Sequence, residues 1–90
     1  MRKLEMFHAS WCSPCRFLLN NIIPPVQAAC PDQVMLVDVN ERPSYAEKKG
    51  VTRIPRIFLK EDDVIMYQFT MPIEPEKLIA WLKGETDDPH

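Results

Sequence analysis

The chain is short of several things that usually declare a function. No uninterrupted apolar run is long enough to cross a bilayer. Its net charge of -2 argues for neither nucleic acid nor an anionic membrane surface as a partner. No block of like charge forms a binding tail, and there is no internal repeat or low-complexity segment. Three cysteines are an odd number and too few for a disulfide scaffold. Arg2 and Lys3 could imitate the start of a signal peptide, but Glu5 and His8 break the apolar stretch behind them. Cytosol is therefore the expected compartment. There thiols are mostly kept reduced, so these cysteines are expected to be reactive, metal-binding or simply buried.

What is present is the makings of one small domain. Ninety residues leave no room for a second core, and 46% hydrophobic with 27% charged residues is ordinary for a globular protein.

Residues 2–8 alternate as a strand, with Leu4, Met6 and His8 on one face and Glu5 and Phe7 on the other. A helix is expected from Cys12, with Ser13 and Pro14 in its first turn and Phe17, Leu18, Ile22 and Val26 on its apolar side. Pro24-Pro25 predicts a kink or break before the helix resumes to about Ala29. Val34–Val39 reads as a second strand, and Ser44 as the cap of a short helix ending at Gly50.

Arg56–Lys60 and Val64–Phe69 read as an antiparallel hairpin across the polar turn Glu61-Asp62-Asp63. Pro75 opens a last helix, closed by Gly84. The expected architecture is α/β, a four-stranded mixed sheet in the order β-α-β-α-β-β-α flanked by three helices, with a right-handed first crossover. Residues 1–84 form the domain, and 85–90 are expected to be a polar disordered tail.

The chemistry centres on Trp11-Cys12-Ser13-Pro14-Cys15, where the first strand gives way to the first helix. Disulfide exchange needs an accessible thiolate with a second thiol close by. A cysteine at a helix start meets unpaired N–H groups and the positive end of the helix dipole, which favour the anion. Cys15, three residues on, shares the same helical face and can close a small ring with it. The position at the edge makes Cys12 the more exposed, hence the attacking thiol, and Cys15 the resolving one. Two readings compete with this. One is half a zinc site completed by His8 and Cys30, against which stand the lack of a second C-x-x-C and the proline inside the knuckle. The other is a purely structural pair.

The motif resembles the thioredoxin active-site sequence Trp-Cys-Gly-Pro-Cys, with Ser13 in place of glycine. About forty residues later, Val51-Thr52-Arg53-Ile54-Pro55 is similar to the superfamily loop that ends in Ile-Pro. Together these mark a short member of the thioredoxin superfamily over roughly residues 3–83. The resemblance implies a cis bond before Pro55, packed against the cysteine pair. It also implies substrate docking on Trp11, Ser13, Pro14, Ile54 and Pro55, with the Ile54 backbone pairing to an extended peptide. The implied activity is reduction of protein disulfides, with protein substrates and a separate reductase as partners. It involves no cofactor, metal, nucleic acid or membrane, and the chain is expected to be a monomer. The alternatives are a glutaredoxin-like electron donor to one enzyme such as a ribonucleotide reductase, and a non-catalytic binding module.

The pattern is broken in three places. The superfamily aspartate six residues before the first cysteine is Met6 here, and Glu5 lies on the wrong face to replace it. His8, on Met6's face, is a candidate proton acceptor for Cys15, although it also stands where relatives carry a packing tryptophan. Around Phe69-Thr70-Met71-Pro72 the usual glycine is missing, as are the residues with which glutaredoxins hold glutathione. Arg16, Arg53 and Arg56 are expected near the cysteines, either stabilising the thiolate, attracting an acidic partner, or forming a solvated rim. Cys30, Tyr45 and Trp81 are read as packing residues.

Overall fold

Alternation along the first strand decides the layering. In the computed structural model, which describes residues 1–90, β1 (Arg2–His8) is central and buried from Leu4 through Phe7. Leu4 and Met6 point into a large core together with residues of the first and last helices. Phe7 enters a smaller core on the other face with Val37, Ala46 and Phe58. Three more strands complete the sheet: β2 (Val34–Asp38), β3 (Arg56–Glu61) and β4 (Val64–Phe69), in the order β2-β1-β3-β4. β1 pairs parallel with β2 and antiparallel with β3, and β3 pairs antiparallel with β4. This is the expected four-stranded mixed sheet.

The helices differ in detail from the expected ones. The first helical region is α1 (Ser13–Phe17), a π-helical turn over Leu18–Ile22, and α2 (Ile23–Ala29). The irregularity therefore lies before Pro24-Pro25, not at them. Neither proline can donate to the turn below, so a wider turn closed by Ile23 N–H to Leu18 C=O absorbs the mismatch. The prolines then occupy the first turn of α2, where missing donors cost nothing. α3 (Pro43–Lys48) is capped at Arg42 with Pro43 as its first residue, so Ser44 lies inside the helix and is not its cap. α4 (Pro75–Leu82) buries Leu78, Trp81 and Leu82. The first helical region and α4 cover one face, and α3 the other.

Asp62 and Asp63 both have positive φ, 51° and 69°, and form the two-residue connection of the β3–β4 hairpin. That is the left-handed pair required by the commonest tight hairpin, here made by aspartates in place of the favoured Asn-Gly.

The segment 85–90 packs against β1 and β4. Arg2 donates to the carbonyls of Trp81 and Thr86 and pairs with the Asp87 carboxylate at 2.7 Å. Tyr67 Oη donates to the Asp87 carbonyl, Pro89 is buried, and the His90 ring rests against Tyr67 and Phe69. An arginine from β1 and aromatic residues from β4 supply these contacts to a segment of polar composition.

Candidate functional site

Cys12 is the N-cap of α1, held extended at φ −95°, ψ 105°. Its Sγ accepts the Cys15 N–H at 3.2 Å and its carbonyl accepts the Arg16 N–H at 3.1 Å. The thiol thus takes the place that a serine or aspartate oxygen fills at other helix starts, because the first amides of the helix need an acceptor. Cys12 and Cys15 form a disulfide with Cα atoms 5.2 Å apart, within the usual span for such a bridge. Cys12 keeps 6% exposure, whereas Cys15 has none. Arg16 braces the loop by donating to Ser10 C=O at 2.8 Å and Ser13 Oγ at 3.0 Å. Pro14 lies in the first turn of α1.

Beside the disulfide, Trp11 stands 66% exposed. With Val39, Val51, Thr52, Arg53 and Ile54 it lines an open groove of about 420 Å³. The Ile54–Pro55 peptide bond is cis, and Pro55 is buried at the start of β3. The groove thus brings the cysteine loop and the loop before Pro55 together, as the two motifs suggested. Val39 and Thr52 also belong to it. Thr52 lies within the loop motif, whereas Val39 lies outside both motifs and only the fold reveals its place.

Met6 is fully buried in the same core as Cys12 and Cys15, so no carboxylate stands at that position. Glu5 is fully buried on the opposite face and committed elsewhere. It accepts a hydrogen bond from Tyr45 Oη and pairs with Lys60 Nζ at 3.1 Å. Burial first, and then the Glu5 carboxylate, push the Tyr45 hydroxyl up to about 12. Tyr45 and Lys60 are therefore more than packing residues. Tyr45 hydrogen-bonds one oxygen of a buried carboxylate and Lys60 offsets the charge at the other, a role that only cross-strand and helix–sheet contacts disclose.

His8 ends β1 half-buried; its carbonyl accepts the Val39 N–H at 2.9 Å, and its ring makes no hydrogen bond. Cys30 lies buried at the end of α2, and no three His, Cys, Asp or Glu side chains cluster as a metal site requires. No helix is long and apolar enough to cross a membrane.

A disulfide at the junction of a central strand and a helix, faced by a cis-proline loop, defines a dithiol protein of mixed α/β fold. The thioredoxin family model matches residues 3–84, and the chain belongs to that family. Thioredoxin 1 of Synechococcus elongatus is 36% identical over 58 residues, covering 62% of this chain and 53% of that protein. A thioredoxin-like protein of Synechocystis, slr1139, is 29% identical over 89 residues, covering 93% of this chain and 78% of its own length. The first of these matches thus spans about half of the relative. Among solved structures, thioredoxin 1 from Thermosipho africanus superposes with a TM-score of 0.73 at 23% identity, covering 92% of each chain. Oxidised mitochondrial thioredoxin 3 from Saccharomyces cerevisiae gives 0.71 at 26% identity, covering 92% of this chain and 77% of that one.

Proposed function

We propose that this protein is a thiol–disulfide oxidoreductase that reduces protein disulfides. The observation that carries this reading is the Cys12–Cys15 disulfide at the start of α1, with Cys12 at the surface edge and Cys15 beneath it. The Cys12 thiolate attacks one sulfur of a substrate disulfide, forming a mixed disulfide and expelling the other substrate sulfur as a thiolate, which takes up a proton. Cys15 then loses its proton and attacks the Cys12 sulfur. The Cys12–Cys15 disulfide forms and the second substrate thiol leaves, so two electrons have passed to the substrate. A separate reductase returns them. In the dithiol state the amide that now donates to Cys12 Sγ would stabilise the thiolate, since hydrogen bonds to the charged form favour it.

The substrate segment would lie in the groove between Trp11 and Ile54, extended along the Ile54 backbone, with Ser13, Pro14 and Pro55 completing the surface. His8 is proposed as the proton acceptor for Cys15, because Met6 offers none and Glu5 is engaged on the other face. We further propose that the protein works as a monomer in the cytoplasm.

Reduction of insulin disulfides driven by dithiothreitol tests the activity. The wild type should accelerate precipitation of the insulin B chain, Cys12→Ser should abolish the acceleration, and Cys15→Ser should accumulate a mixed disulfide at Cys12. Acceleration retained in Cys12→Ser would refute the assignment. For His8, an unchanged rate of mixed-disulfide resolution in His8→Ala across neutral pH would rule out the proton-acceptor role.

A further inference from the structure

Three arginines lie in or beside the loops that form the site, and they are not equivalent. Arg16 is occupied with Ser10 and Ser13, and Arg56 donates to Gln68 Oε1 at 3.1 Å. Arg53 is exposed and has neither a hydrogen-bond partner nor a carboxylate within ion-pair distance. It is also the only charged residue lining the groove, whose other walls are Trp11, Val39, Val51, Thr52 and Ile54. The adjoining carboxylate, Asp38, is turned to its own loop, where it accepts the Asn40 N–H at 2.8 Å. No acidic residue occurs from 48 to 60, although the whole chain has more acidic than basic residues, 13 against 11. The groove therefore presents one unneutralised guanidinium on an apolar floor, next to the disulfide.

We propose that Arg53 is a specificity-determining residue, selecting partner segments that carry a carboxylate beside the target disulfide. This rests on the reading of the groove as the substrate site. A guanidinium at the rim of a groove that a peptide covers is partly desolvated on binding, which strengthens its pairing with Asp or Glu relative to a free surface ion pair. A lysine or arginine in the same place on the partner meets like charge and is turned away, so selection works by repulsion as well as attraction. The apolar floor takes the side chains on either side of that carboxylate. The preferred partner is thus a protein whose reducible cystine sits in an acidic, partly apolar segment.

The test uses three cystine peptides of identical sequence except for one residue beside the disulfide, Glu, Gln or Lys, with kcat/KM measured in the dithiothreitol-driven reaction. The wild type should prefer Glu over Gln by roughly fivefold to tenfold and Gln over Lys by a similar factor, with both ratios shrinking at high salt. Arg53→Gln should bring the ratios close to one, and Arg53→Glu should invert them. Equal rates with all three peptides in the wild type, or an unchanged order in Arg53→Glu, would overturn the inference while leaving the reductase reading in place. If the wild type accelerates reduction of none of the peptides, although dithiothreitol alone reduces them, the reductase reading falls and the inference with it.

Discussion

The two ends of the sheet handle charge in opposite ways. At the end where β1 begins, Arg2 contacts Glu61 and Asp87 and two carbonyls, and the N-terminal ammonium pairs with Asp62. At the end where β1 stops and the cysteines begin, Arg16 and Arg56 find only neutral acceptors and Arg53 finds none. Between them Lys60, itself nearly buried, neutralises Glu5 within the interior. The first end and the interior spend their polar groups on holding β1, β3, α3 and the last residues together. The cysteine end leaves donors open and keeps Trp11 in solvent. Unsatisfied groups at a surface, such as the Arg53 guanidinium, cost little, whereas a buried donor without a partner, such as Arg56 Nε, costs more.

This contrast can be broken first in the interior. Glu5→Ala leaves Lys60 buried without its partner and should cost about 3 to 5 kcal/mol of unfolding free energy. The double variant Glu5→Leu/Lys60→Leu should recover much of that loss, because a well-packed apolar pair can replace a buried ion pair. Urea unfolding measures both. A loss well under 1 kcal/mol for Glu5→Ala would mean that the ion pair is not buried as described.

A smaller effect is expected from Tyr45→Phe, about 1 kcal/mol at neutral pH from the lost hydrogen bond. It also carries a pH signature. The hydroxyl is pushed up from 10 to about 12 in the folded state, so between these values the folded protein holds a proton that the unfolded chain has lost. Stability from this group is complete below about pH 10 and declines as pH rises toward 12. Stability profiles of wild type and Tyr45→Phe should therefore converge in that interval. Parallel profiles would remove Tyr45 from the network.

Arg2→Ala should free residues 85–90 and expose their amides to rapid hydrogen exchange while protection of the β1 amides persists. Slow exchange throughout the segment in the variant would show that the aromatic contacts of His90 suffice alone. The smallest expected change is a gain of up to about 1 kcal/mol for Asp63→Gly, since glycine adopts the left-handed conformation without a Cβ penalty. Unchanged urea stability would mean that the aspartate tolerates its turn at no cost.

The sheet was readable because its determinants are local. Alternation in 2–8, the β-branched run from Val34 and the hairpin signal around Asp62-Asp63 each act over a few residues. The cysteine pair and Ile54-Pro55 were readable as motifs, and the fold puts Trp11 and Ile54 on one groove. The features that escaped depend on partners far away in sequence. The Glu5 contacts to Tyr45 and Lys60 join residues 40 and 55 positions apart, and Arg2 reaches across the chain to Asp87. The π-helical turn was hidden for a different reason. Pro24-Pro25 announces that a helix must be disturbed, but the disturbance is placed by packing of Leu18 and Ile23 into the core.

The central claim is that Cys12 and Cys15 cycle reversibly between dithiol and disulfide. Equilibrating the protein in dithiothreitol or glutathione redox buffers and alkylating the free thiols before mass spectrometry tests it directly. The expected result is a single two-electron transition confined to Cys12 and Cys15, at a potential within the roughly −120 to −270 mV spanned by proteins with this chemistry, with Cys30 unchanged throughout. A pair that never forms an intramolecular disulfide, or one that cannot be reduced again across those buffers, would contradict it.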